Sequence, residues 1–170
     1  MMRSPLEELR HSFRPNEITT LFVGESPPHG GDFFYRSDSL LYRAMRCAFG
    51  EPEDFLADFK SRGFFLDDLV LTPINKITNK KARQEIRDRA VNDLAERIRK
   101  YNPSALVVVM HAIEQSVREA AGQAGLNHLP VHVAPFPIGS NYWPFVATIQ
   151  AILPGLHLPS RGPSGPKDNR

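Results

Sequence analysis

The chain alternates short apolar runs with longer stretches of helical period, and this alternation limits its architecture more than any other feature. Ile18–Val23 (ITTLFV) is a β-branched run that stops at Gly24-Glu25-Ser26-Pro27-Pro28-His29-Gly30-Gly31, where glycine and proline forbid regular structure. Phe64–Leu71 (FFLDDLVL) is closed by Pro73, Ala105–Met110 (ALVVVM) is unmixed apolar, and Val131–Ala134 is short. An unmixed run of this kind suits a central strand covered on both faces. Between these runs the apolar spacing is helical. One helix is expected from the Ser4 cap with Pro5 at its first position and Glu7 reaching back, ending near Phe13. Others carry Leu40, Leu41, Ala44, Met45 and Ala48, span Asp54 to Lys60, and follow an Asn79 cap with a stripe of Ile86, Ala90, Leu94 and Ile98. Two more are expected over Ile113–Ala124 and from Pro144 through Leu153.

Strands alternating with helices imply parallel pairing through right-handed crossovers. The expected fold is therefore α/β, a three-layer α/β/α sandwich with a central, mostly parallel sheet of about four strands. With 170 residues there is room for one domain. We place it at residues 1–153. The remainder, 154–170, holds four prolines, three glycines and a basic surplus with little to bury, and is expected to be disordered.

Composition narrows the chemistry. Cys47 is the only cysteine, which excludes an intrachain disulfide and a cysteine-held zinc or iron–sulfur centre. A reducing, cytoplasmic setting is expected, since no run approaches the roughly 20 apolar residues of a membrane span and no export signal opens the chain. Net charge is +2, yet Lys76–Lys100 holds nine basic residues against four acidic ones. That stretch is either a solvated helix face with Glu/Arg pairs or a basic face able to meet phosphate.

In such sheets ligands bind beyond the carboxyl ends of the strands. Three segments converge there: Gly24–Tyr35, Asp67–Asn75 and Pro135–Trp143. Taken together they resemble the uracil-DNA glycosylase superfamily. Gly24-Glu25-Ser26-Pro27-Pro28 followed by Phe33-Phe34-Tyr35 is similar to its first motif, a Gly-Glu-Ala-Pro-Gly-like turn and a base-stacking aromatic. Phe65–Thr72 lies over its second, which puts Asp68 where the family has a base-reading asparagine, and Ala134–Ser140 fills the place of its phosphate-clamping loop.

The resemblance implies a monofunctional DNA N-glycosylase that takes a flipped base from single- or double-stranded DNA, with no metal and no cofactor, working as a monomer. Catalytic candidates are Glu25, Ser26 and His132, because Ala134, or Phe136 if the register slips, stands where the family's histidine is expected; His29 is the other available imidazole. Base-binding candidates are Gly24, Phe33, Phe34 and Asp68, and phosphate-binding candidates are Pro137, Ser140, Asn141 and Trp143. Each has a structural reading beside it. The aromatics suit core packing, Asp67-Asp68 a strand-end turn, His132 a histidine without catalytic role, and Trp143 a staple before the last helix. Asp68 adds a constraint of its own. An ionised aspartate offers acceptors only, so it repels the O4 of uracil and suits a base edge that donates. The rival function is a silent relative that binds a base or nucleotide in the same pocket.

Overall fold

The computed structural model describes residues 2–160. In chain order the elements are α1 (Pro5–Ser12), β1 (Thr20–Gly24), α2 (Leu40–Ala48), α3 (Phe55–Ser61), β2 (Phe64–Asp68), α4 (Lys80–Tyr101), β3 (Ala105–Val108), α5 (Glu114–Gln123), β4 (Val131–Val133) and α6 (Tyr142–Ile152). Side-chain caps start four helices: Ser4, Ser39, Asp54 and Asn79 accept the backbone N–H of Glu7, Tyr42, Ala57 and Ala82. Asn102, at φ 46°, ends α4 in the left-handed conformation before Pro103.

All strand pairs are parallel, in the order β2-β1-β3-β4, with Thr20 opposite both Phe64 and Ala105, and Leu106 opposite Val131. The chain moves one way from β1 to β2 and back the other way to β3 and β4. Right-handed crossovers therefore place α2 and α3 on one face and α4 and α5 on the other. The packing agrees, with α4 against α5 and α2 against α6. This is the three-layer sandwich that the alternation called for, and β3 lies inside the sheet.

The core under α3 is aromatic. Phe22, Phe34, Phe49, Phe55, Phe59 and Phe64 meet at centroid distances of 5.1–6.1 Å, mostly edge to face. At the sheet edge, Tyr35 and Arg10 replace the missing neighbour of β2. The Tyr35 hydroxyl accepts from Leu66 N (2.7 Å) and donates to Leu66 O (3.0 Å), and Arg10 Nη1 donates to the same carbonyl. An edge strand's free groups are thus covered by side chains.

Several boundaries move from the sequence expectation. β2 stops at Asp68 rather than Leu71: Leu69 N donating to Gly24 O is the last rung of the ladder, and Val70 N, donating to Glu25 O, breaks its alternation. α6 begins at Tyr142, so Pro144 sits third in the helix, where its lack of an N–H is harmless. Trp143 is 67% exposed, which removes its reading as a staple. Glu7 does not reach back to its cap but turns to Arg10 Nε at 3.1 Å. The packed domain also runs past residue 153: Leu156 is buried, and Ser160 N donates to Glu17 Oε2 at 2.9 Å. The rest of the expected tail, 161–170, lies outside the described residues. Among those described, no helix is long and apolar enough to cross a membrane.

His11 rests beside Phe65 with ring centroids 6.0 Å apart, and burial, helped by Arg3, pushes its imidazole down to about 4. A base whose folded pKa is depressed binds fewer protons when folded, so stability falls with pH between about 6.5 and 4. Between pH 7 and 4.5 the urea midpoint is expected to drop by the equivalent of about 1–3 kcal/mol, and by less in His11→Gln.

Candidate functional site

At the carboxyl end of the sheet, neighbouring residues of each strand point to opposite faces. This alternation sorts the side chains. From β2, Asp67 reaches Arg97 of α4 (2.6 Å), whereas Asp68 turns to the α2 face and accepts from Arg10 Nη2 at 2.6 Å. On leaving β1, Glu25 reaches Arg83 and Arg87 of α4, whereas Ser26 turns to the α2 face.

On that α2 face lies a cleft of about 400 Å³. Ser26, Asp32, Phe33, Phe34 and Asp68 line it, together with Arg10, Asn75 and Phe136. Its wall is mainly apolar, with a few polar groups converging, as small-molecule sites require. Phe33 and Phe34 are each 3% exposed. Phe33 lies under the Arg10 guanidinium, 5.3 Å from its ring centroid, while Phe34 belongs equally to the aromatic core.

Asp68 is the most constrained group of the cleft. Burial raises its carboxyl above the ordinary range, with Arg10 opposing and Asp67 and Glu7 adding to the rise. Arg10 itself is completely buried. Burial alone would lower its pKa, but Asp68, Asp67 and Glu7 together raise it, so the guanidinium stays charged. Arg10 takes Asp68 Oδ2, and no donor among the described residues reaches Oδ1. The register explains the glycine opposite. Gly24 pairs with Asp68, and a Cβ there would stand 2.6 Å from Asp68 Oδ1. Gly24→Ala is expected to displace the carboxylate and lower stability by about 1–3 kcal/mol, read from denaturant unfolding.

Gly30 and Gly31 adopt φ of 75° and 81°, with open space where a Cβ would stand. Both take the left-handed conformation that the turn needs, and Gly30 also lines the cleft. Ser26 Oγ accepts from Ile74 N (3.3 Å), and Asn75 Oδ1 accepts from His29 N (3.0 Å), which ties the loop after β1 to the loop after β2.

The cleft gathers Ser26, Phe33, Phe34 and Asp68 from the expected set. Glu25 is not in its wall. Although burial alone would raise its carboxyl, hydrogen bonds from Arg83 and Arg87 hold it below the usual carboxylate range. The expectation that Glu25 and Asp68 share one hollow is therefore corrected: they leave neighbouring strands toward opposite faces. His132 is half-buried in the middle of β4, opposite Val107, and also lies outside the cleft. In the loop after β4, Pro137 is buried, whereas Ser140, Asn141 and Trp143 are exposed around the start of α6; from this segment Phe136 reaches the cleft.

With this geometry in place, comparison with protein families finds a match to the uracil DNA glycosylase superfamily over residues 11–157. The chain belongs to the uracil DNA glycosylase superfamily. Comparison with curated proteins finds no match. Membership in the uracil DNA glycosylase superfamily supports a DNA-glycosylase-like function in general terms, with DNA as the class of partner, and it fits the four-stranded parallel sheet.

Arg10 and Asp32 were missed from sequence. Arg10 precedes the matched segment, but it carries a signal: Leu6, Leu9, Arg10 and Phe13 form one helical stripe, and an arginine within an apolar stripe calls for a buried acid.

Proposed function

We propose that the cleft receives a nucleobase swung out of a DNA strand and that the protein hydrolyses the bond between that base and its sugar with water. The observation that supports this reading is the juxtaposition of Phe33, Ser26 and the single free oxygen of Asp68 within one cleft of nucleobase size. On this reading Phe33, in the cleft wall beneath Arg10, is the aromatic that stacks on the base, worth roughly 1–3 kcal/mol per base. Asp68, its Oδ2 pinned by the Arg10 guanidinium, offers Oδ1 as a lone acceptor to the base edge. The preferred base is one that donates at that position, through an exocyclic amino group, rather than plain uracil.

With Glu25 turned to α4, the carboxylate available beside the sugar is Asp32. It lines the cleft and has no bonded partner among the described residues. A carboxylate there orients the attacking water and stabilises the cation that develops on the sugar as the base departs. Ser26 positions the water. Its hydroxyl accepts from Ile74 N and keeps its own proton to donate. Ser140, Asn141 and Trp143, exposed together at the start of α6, are the groups placed to meet the strand, with Pro137 fixing their loop.

The test is release of free base from a panel of oligonucleotides carrying uracil, hypoxanthine and amino-bearing modified bases. Release from an amino-bearing member, lost in Asp32→Asn, supports the reading. In Asp68→Asn, Arg10 holds the amide oxygen and turns the NH₂ into the cleft, so a donor replaces an acceptor. Discrimination against uracil is expected to fall by about 10–100-fold, since one good edge contact is worth about 1–3 kcal/mol. Acidification acts in the same direction, because a proton on Oδ1 also makes a donor; the raised Asp68 pKa moves that change to higher pH than for an ordinary aspartate.

A second reading has its own support. Glu25 is occupied by two arginines and His132 lies outside the cleft, so two of the expected catalytic groups are not beside the base. On this reading the protein binds a base without releasing it. Tight binding to an oligonucleotide of the panel with no free base formed would select it.

A further inference from the structure

The face of β1 opposite the cleft carries a second and larger hollow, of about 820 Å³. Its wall combines the loop after β2, the first two turns of α4 and Ala112 after β3, and its charged members are Lys80, Lys81, Arg83 and Arg87. No acidic side chain among the described residues lines it. Glu25 stands behind, with its carboxylate bonded to both arginines, so four cations face one carboxylate.

The arginines are held rather than free. Arg83 also donates to Ile77 O (3.3 Å), and Arg87 to Gln84 Oε1 (3.2 Å). A guanidinium has five N–H donors, and each of these keeps two unused. Held this way, the forks lose little freedom on meeting an anion. Lys80 and Lys81 are exposed and have no ion-pair partner among the described residues. Asn75 lines both hollows. Its Oδ1 is taken by His29 N, which leaves its NH₂ to donate.

We propose that this hollow is a phosphate-binding site for the strand whose base enters the cleft, with Lys80, Lys81, Arg83 and Arg87 as its cations and Glu25 as the residue that positions the two arginines. The proposal rests on the base-binding reading for the source of the phosphates. Four cations in a wall with no acidic side chain among the described residues, fixed donor forks and Asn75 shared with the cleft are what a backbone phosphate beside an extruded base requires. Glu25 is thereby a positioning residue. Its loss frees the arginines to move while making the hollow more positive.

The test compares full-length wild type with Lys80→Ala/Lys81→Ala for binding a single-stranded oligonucleotide over a salt series, and for binding inorganic tripolyphosphate. Both lysines are exposed, so the variant folds, with its thermal midpoint as the control. The expected result is a roughly tenfold or greater loss of oligonucleotide affinity at about 50 mM salt, a log–log salt slope lower by about 1.4 for two phosphate contacts on a single strand, and weaker tripolyphosphate binding. Loss for tripolyphosphate alone keeps the phosphate site but overturns the strand as its source. Unchanged binding of both overturns the proposal. Failure of the base-binding reading is separate: it appears as no base release and no nucleobase-dependent binding in the wild type, whatever the salt slope. Glu25→Gln gives the positioning readout, raising the charge of the hollow and yet weakening tripolyphosphate if fixed forks matter.

Discussion

Arg10→Met is expected to lower stability by about 3–5 kcal/mol, the range for removing one partner from a buried ion pair. Arg10 is fully buried and bonded to Asp68 Oδ2 (2.6 Å), Leu66 O (3.0 Å) and Glu7 Oε1 (3.1 Å), with Asp67 at 3.9 Å. Without it, Asp68 is buried with no counter-charge, and Leu66 O loses one of its two side-chain donors. The carboxyl must then take a proton or the edge of β2 must open. The urea midpoint of Arg10→Met should therefore improve on acidification, opposite to the wild type, as protonation removes the orphaned charge. Arg10→Met/Asp68→Asn should recover a good part of the loss, since a neutral amide needs no counter-ion. A single variant of wild-type stability would show that the Arg10–Asp68 pair does not support the fold.

Phe34→Ala is expected to cost a similar 3–5 kcal/mol, the usual range for a buried phenylalanine. Phe34 lines the cleft, yet its ring meets Tyr35, Tyr42, Phe55 and Phe59 at 5.1–6.0 Å, so the cavity opens into the core. Its loss of activity would therefore follow loss of fold, with thermal unfolding and base release failing together. Phe34→Leu, which keeps most of the volume, should retain most of the stability, and any base stacking owed to Phe34 is read there. A Phe34→Ala protein as stable as wild type would mean that the ring belongs to the site and not to the core.

How far the sequence reached can be followed through particular residues. The run Ala105–Met110 announced a buried strand because every position is apolar, and β3 is indeed interior. Ser4 and Asn79 announced helix starts because a side-chain oxygen placed before an apolar period has one good use there. The three loops were legible as a site because parallel strands end on one side of a sheet. Whether Glu25 or Ser26 faces the cleft was not legible, since a shift of one residue at a strand end exchanges the faces.

The order of residues by itself determined the layers, the parallel sheet and the family to which the chain belongs. These depend on period and on the succession of elements, which are local properties carried by every segment. Only the tertiary structure decided which charges meet. Arg10 pairs with Asp68 across 58 residues and Arg83 with Glu25 across another 58, so one carboxylate is left with a single oxygen for the cleft and the other is committed to the opposite face. Long-range electrostatic pairing has no period to read: it follows from which side of a strand each acid takes and which helix then lies over it.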